Sequence, residues 1–275
     1  MPDALEAPPA PQAIQAPQGF QDQSPPHAVS RLRTARLARS SKPFLARGGI
    51  KGVRCPGCRL IPSHCLCGLG LLQSTHAGVC LLMADIEPLK PSNTGWLVAD
   101  VVADTFAFGW ARTETDAALL ALLTDPQWQP YVVFPGEFVL PARVVHTVEF
   151  ALSVEEGALS AKRPLFILLD ATWAEARKMF RKSPYLDALP VLSLQPEHIS
   201  RYQLRRSRRD DHFCTSEVAA LCLELSGDAA AAHVLEAYLD VYTHHYQQAK
   251  QQLPPDREGD PRKRLRVAML PRAAG

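Results

Sequence analysis

Four cysteines fall within thirteen residues, Cys55 and Cys58 as a C-x-x-C pair and Cys65 and Cys67 as a C-x-C pair, with Pro56 and Gly57 turning the first. Thiolates this close can complete a tetrahedral shell with no open position, which marks a structural zinc rather than a hydrolytic one. His64 is a spare ligand, and a redox pair is the smaller alternative. A second group stands at Asp170, where the apolar run Leu165 to Leu169 stops and a segment rich in Arg and Lys begins. It places a carboxylate at a strand's carboxyl edge, where open α/β sheets bind ligands, and no structural need puts a charge there. Arg201, Arg205, Arg206, Arg208 and Arg209 crowd one stretch with Tyr202. Guanidinium forks beside an aromatic face grip a phosphate backbone and stack a base.

The neighbours of these groups carry structural readings too. Thr172 and Glu175 have the spacing of a capping box, so both fit the start of a helix. Trp173 reads equally as core filler or as a stacking platform. Asn93, Thr94 and Gly95, with Glu87 before them, follow the first strand at the edge where a ligand is met, and they also fit a turn and cap ahead of Trp96. Phe134-Pro135-Gly136-Glu137 ends another apolar run and has the form of an ordinary Pro-Gly turn. Glu217 follows Thr215-Ser216 in the first turn of a helix, where the macrodipole favours an acid. Cys80, Cys214 and Cys222 read as core cysteines.

The elements that must hold these groups follow from the apolar pattern. With 275 residues and 47% hydrophobic content the chain can bury a core of catalytic-domain size. Residues 1–26 hold seven prolines and no apolar period, which predicts a flexible tail, and 30–47 is basic, a short helix or an arm. Runs at Val79–Ala84, Phe106–Ala111, Tyr131–Phe134, Leu165–Leu169 and Val191–Leu194 read as buried strands, alternating with helical patterns at Trp96–Thr105 and Asp116–Leu123. That alternation means α/β with a largely parallel sheet. Helices are predicted at Thr215–Leu225 and His233–Gln252, and Asp260 onward reads as a basic tail. The division is a tail and arm at 1–47, one domain at 48–253 with its cysteine segment at 54–68, and a tail at 254–275.

The net charge of +2 conceals a concentration: from Glu175 to Arg209 nine Lys and Arg face three acids, a local +6 that leaves −4 for the rest. Such a patch is the footprint of a phosphate-binding protein. An odd count of seven cysteines without a secretory apolar region argues against a disulfide framework, and no run approaches the roughly 18 apolar residues of a membrane helix. The expectation is a cytoplasmic, reducing compartment. The Arg-rich, acid-free stretch from Ser30 to Lys42 has a faint transit-peptide character, opposed by Asp3, Glu6 and Asp22.

In order along the chain, the two cysteine pairs, Asn93-Thr94-Gly95, Asp170-Ala171-Thr172-Trp173, Tyr202-Gln203-Leu204-Arg205-Arg206 and Thr215-Ser216-Glu217 resemble the motifs of the DTW-domain family. The resemblance runs from about Arg54 to about Leu225. It implies a tRNA-uridine aminocarboxypropyltransferase, which moves the 3-amino-3-carboxypropyl arm of S-adenosylmethionine to N3 of a uridine and releases methylthioadenosine. It also implies a SPOUT-like fold whose C-terminal part threads a trefoil knot around the cofactor, something periodicity alone never suggests. Asp170 is then the catalytic carboxylate. Pro135, Gly136 and Glu137 resemble the cofactor loop, joined by Asn93, Thr94, Gly95 and Thr172. Trp173, Arg201, Tyr202, Arg205, Arg206 and Arg208 face the tRNA, and the four cysteines hold zinc. The family usually has a histidine in the strand exit before the glutamate; here the segment is Met83-Ala84-Asp85-Ile86-Glu87, so no role passes to Asp85. Two other readings stand beside this one, a methyltransferase of the same fold and a zinc-dependent RNA-binding protein without catalysis.

Overall fold

The computed structural model describes residues 26–41, 44, 52–149, 152–155, 158–194 and 213–270. Six strands form one all-parallel sheet: β1 (Gly78–Met83), β2 (Thr105–Gly109), β3 (Trp128–Val133), β4 (Val144–Val145), β7 (Arg163–Asp170) and β8 (Val191–Leu192). Their spatial order is β2-β1-β7-β3-β8-β4. Strands β5 (Leu152–Glu155) and β6 (Ala158–Ala161) pair separately as an antiparallel hairpin. The helices are α1 (Ala28–Ala38), α2 (Gly95–Val101), α3 (Ala117–Thr124), α4 (Trp173–Arg181), α5 (Thr215–Leu225), α6 (Ala229–Lys250) and α7 (Asp260–Ala268).

The central strands read as continuous apolar runs because both faces are covered. Val79, Leu81, Met83, Phe166 and Leu168 pack on one side with α2, α5 and α6. Cys80, Leu82, Leu165 and Ile167 pack on the other with Leu119, Leu122 and Leu123 of α3 and Met179 of α4. The cysteine segment joins the first of these cores through Cys55, Cys58, Leu60, Leu66 and Leu71. Pro130 is tolerated inside β3 because β8 begins to pair only at Val132, so the missing N–H faces a side with no acceptor.

Several boundaries differ from the sequence pattern for local reasons. The helix expected over Trp96–Thr105 stops at Val101, because Thr105 already pairs with Val79 and the chain must turn within three residues. The strand expected to reach Ala111 ends at Gly109; Trp110 N–H still meets Met83 O of β1 at 2.8 Å, while its side chain donates Nε1–H to Ser183 Oγ at 2.9 Å. Helix α6 starts four residues early on an alanine run and ends at Lys250, two residues before Gln252, whose φ of 60° is the left-handed stop. Part of the basic arm forms α1, and part of the basic C-terminal tail forms α7, which buries Leu265 and pairs Arg264 with Asp240 of α6 at 2.9 Å. Both are polar helices whose few apolar contacts give no clear period. Residues 195–212, within the C-terminal part for which the resemblance implies a knot, and residues 1–25 of the Pro-rich tail lie outside the described residues. Among the described residues no helix is long and apolar enough to cross a membrane.

Candidate active site

The register of the sheet sets the site. Met83 is the parallel partner of Asp170, and Val133 that of Leu168, so the exits of β1 and β3 flank Asp170 at one level. Asp170 therefore ends a strand in the middle of the sheet, and it is only 4% exposed. The carboxylate accepts from Asn93 Nδ2 at 2.8 Å on one oxygen and from Thr215 Oγ1 at 2.7 Å on the other. Burial pushes its pKa up to about 6, and the charge of Glu87 pushes the same way, against the two hydrogen bonds and Lys90. A carboxylate that titrates near neutrality suits proton transfer, and each oxygen keeps a second lone pair.

The exit of β1 builds the rim on one side. Glu87 is buried and ion-paired to Lys90, and its other oxygen lies 3.4 Å from Asn93 Nδ2. Asn93 Oδ1 accepts the N–H of Trp96 at 3.0 Å, so this one side chain caps α2 and holds Asp170. Thr94 is buried and its Oγ1 accepts from Ser216 N at 3.4 Å, which ties the rim to the start of α5. Glu217 serves that same helix start, accepting the N–H of Cys214 at 2.6 Å. Asp85 accepts both Nε (2.7 Å) and Nη2 (2.8 Å) of Arg36, and so docks α1 beside the rim.

Gly95 has no room for a side chain: a Cβ there would collide with Asp170 Oδ2. Gly95→Ala is expected to cost about 1–3 kcal/mol in urea unfolding and to disturb turnover as well, since the atom that must move is the site carboxylate.

On the other side, Pro135, Gly136 and Glu137 follow β3. Gly136 N–H donates to Ser193 Oγ at 3.0 Å, and a Cβ on Gly136 meets Ser193 Oγ and Val144 Cγ1 at 3.1 Å, so glycine lets this loop close on β8 and β4. Pro135 and Glu137 are exposed toward solvent. Thr172 caps α4: its Oγ1 accepts from Glu175 N and donates to Glu175 Oε2, the capping box anticipated from spacing. One face of Trp173 stacks on Phe134 at 5.5 Å, with Phe134 in turn stacked on Phe180, while 39% of the residue stays exposed. Arg177, lying 4.7 Å over Phe138, shares an exposed basic face of α4 with Lys178, Arg181 and Lys182. Arg201, Tyr202, Arg205, Arg206 and Arg208 lie outside the described residues.

The structure thus gathers Asp170, Asn93 and Gly95 into direct contact and sets the Pro135 loop, Thr172 and Trp173 along the same sheet edge. A model of the DTW domain matches residues 52–247. This chain belongs to the DTW-domain family. Membership implies a tRNA-modifying enzyme. No solved structure matches the chain. Within the DTW chain two participants escaped the sequence reading. Thr215, quoted only as part of its motif, reaches Asp170 across 45 positions, and Arg59 is not singled out at all.

The four cysteines of this DTW domain form a separate cluster, with all metal-ligating atoms within 4.8 Å of one another. Sγ separations of 3.3 Å (Cys55–Cys67), 3.6 Å (Cys58–Cys65) and 3.7 Å (Cys55–Cys65) lie just below the spacing of about 3.8 Å for a tetrahedron with zinc–sulfur bonds near 2.3 Å. Leu66 N–H points at Cys58 Sγ (3.4 Å) and Cys67 N–H at Cys65 Sγ (3.5 Å), the outer-shell donors that thiolates need. Hydrogen bonds from its neighbours hold the Cys55 thiol far below its ordinary range, while the same crowding raises Cys58 and Cys67. His64 is turned away, with Nδ1 on Ser63 Oγ and Nε2 on Leu253 O, so the donor set is four sulfurs. All four cysteines are free, and the set fits zinc as a structural ion.

Proposed function

We propose that this chain transfers the 3-amino-3-carboxypropyl group of S-adenosylmethionine to N3 of a uridine in tRNA, with Asp170 as the base. The observation that carries this reading is the buried carboxylate at the centre of the sheet edge, with a pKa of about 6 and a rim on either side. The rim from β1 bears Asn93 to Gly95, the rim from β3 bears Pro135 to Glu137, and Trp173, three residues after Asp170 in the chain and stacked on Phe134, is read as a surface for a base or an adenine. Asp170 takes the proton of the N3 imide; the nitrogen pair attacks the methylene carbon next to the sulfonium; that carbon–sulfur bond breaks and its electrons stay on sulfur. The products are the alkylated uridine and neutral methylthioadenosine. Attack at the methyl instead gives methyluridine and S-adenosylhomocysteine, so orientation of the sulfonium within about 3.5 Å of N3 decides between the outcomes.

Mass spectrometry of nucleosides and small-molecule products, after incubating the protein with tRNA and S-adenosylmethionine, tests this. Aminocarboxypropyl uridine with methylthioadenosine is the expected result. Methyluridine with S-adenosylhomocysteine makes the chain a methyltransferase, and bound but unmodified tRNA makes it a binding protein.

The arginine stretch supplies a second test. Replacing Arg205 and Arg206 together with alanine is expected to weaken tRNA binding and to flatten the plot of log affinity against log salt. Each lost phosphate contact removes about one released counterion, so the slope should fall by about two. An unchanged slope means these arginines face away from the RNA.

A further inference from the structure

Arg59 follows Cys58 directly, and its backbone is left-handed, with φ at 64°, a conformation that side chains other than Asn and Asp rarely adopt. The turn that imposes it is closed by Arg59 N–H on Cys55 O (2.9 Å) and Cys55 N–H on Leu60 O (2.8 Å). Its side chain is buried, with 2% of the residue exposed, and no carboxylate pairs with it among the described residues. The guanidinium instead lies 4.5 Å over the ring of Trp96 and 5.2 Å over that of Tyr242. Nη1 donates to the carbonyls of Asn93 (2.8 Å) and Pro91 (3.1 Å), while Nε and Nη2 have no hydrogen-bond partner. Tyr242 also donates its hydroxyl to Pro91 O. A buried cation aimed at two backbone carbonyls, on a turn fixed by the thiolate cluster, is a costly arrangement to keep for packing alone.

What it holds is the loop whose next side chain holds Asp170. Asn93 is gripped from behind at its carbonyl by Arg59, and from in front its amide donates to Asp170 Oδ2 at 2.8 Å. We propose that Arg59 is a positioning residue that braces the Asn93–Asp170 pair against the cysteine turn. The cluster then has a task at the site without touching it: it fixes the turn, the turn aims the guanidinium, and the guanidinium aims Asn93. A four-thiolate shell around a divalent ion is a net anion, so the loaded cluster also gives the buried guanidinium an opposite charge next to it in the chain.

The proposal rests on Asp170 being the site carboxylate, but its test needs no substrate. Carboxyl-carbon NMR follows the titration of Asp170, assigned by the signal lost in Asp170→Asn, in metal-loaded wild type, Arg59→Met and Arg59→Lys. Glu87 and Lys90, the other charged groups facing Asp170, are unchanged in all three. Lysine keeps the positive charge, but its shorter stem ends before the position of Nη1, the one nitrogen that meets both carbonyls, and it lacks the planar group that lies over Trp96 and Tyr242. With its grip on Asn93 gone, the hydrogen bond to the ionised form of Asp170 loosens, so both variants should titrate at least about half a pH unit higher. The acidic limb of kcat should move the same way, with kcat down about tenfold and KM for tRNA within about twofold. A shift in Arg59→Met with none in Arg59→Lys makes the effect one of charge and overturns positioning, as does an unchanged titration in both. Should the methionine variant fail to fold, the lysine variant alone decides. Absence of the reaction with a shifted titration leaves the positioning role standing and removes only the assigned chemistry.

Discussion

Asp170→Asn is expected to lower turnover by about 10²-fold or more while the protein remains folded and binds tRNA and S-adenosylmethionine nearly as before. The loss is the usual scale for removing a general base, and the substitution isolates that role because asparagine fits the existing contacts. Its oxygen accepts from Asn93 and its amide donates to the oxygen of Thr215, so neither partner is orphaned. Stability adds a second, opposite signature. A carboxyl whose folded pKa is raised from 3.8 to about 6 favours the native state below pH 4, and that contribution is lost as pH rises through 6. Above pH 7 the wild type therefore carries an ionised buried carboxylate that the variant lacks, a difference of roughly 3 kcal/mol at most. Thermal unfolding of the two proteins from pH 4 to pH 8 should show the variant gaining on the wild type across that interval. Normal formation of the aminocarboxypropyl uridine removes Asp170 from catalysis. A variant that unfolds would instead make the carboxylate an anchor for the turn between β7 and α4.

Much of this arrangement was legible because it depends on local pattern. The strand leading to Asp170 shows as five apolar residues ended by a charge, and burial on both faces explains why the run does not alternate. The capping box at Thr172 and Glu175 and the four-cysteine spacing are short-range signals, and the geometry follows them. Contacts made across the chain gave no such sign. Thr215 meets Asp170, and Arg59 meets Asn93, only because α5 and the cysteine turn pack around α2, and neither residue type announces a long-range partner. Strand order is hidden for the same reason: β7 enters between β1 and β3, which precede it in sequence, and no periodicity encodes an insertion. Two-residue strands such as β4 are shorter than any pattern can resolve.

The cysteine cluster should carry one zinc per chain, and removing it should lower stability by several kcal/mol. Closed thiolate sites contribute their binding energy to folding, because the unfolded chain offers no preformed shell. Here the shell is continuous with the domain core: Cys55, Cys58, Leu60 and Leu66 pack in the same cluster as Trp96, Tyr238 and Tyr242. Without the ion, four crowded thiols must share protons, the turns that bury Leu60 and Leu66 lose their tie, and the face of α6 beneath them is uncovered. A loss of that size in a domain of this length corresponds to a fall of about 10 °C or more in melting temperature. Cys58→Ser, which removes a buried ligand, should lose the metal and show the same fall. His64→Ala should keep the metal, since both ring nitrogens already bond elsewhere. Elemental analysis of protein purified under reducing conditions without chelator decides the first point. A metal-free preparation that melts like the rest, or a Cys58→Ser variant as stable as wild type, would mean that the four sulfurs pack as ordinary core thiols.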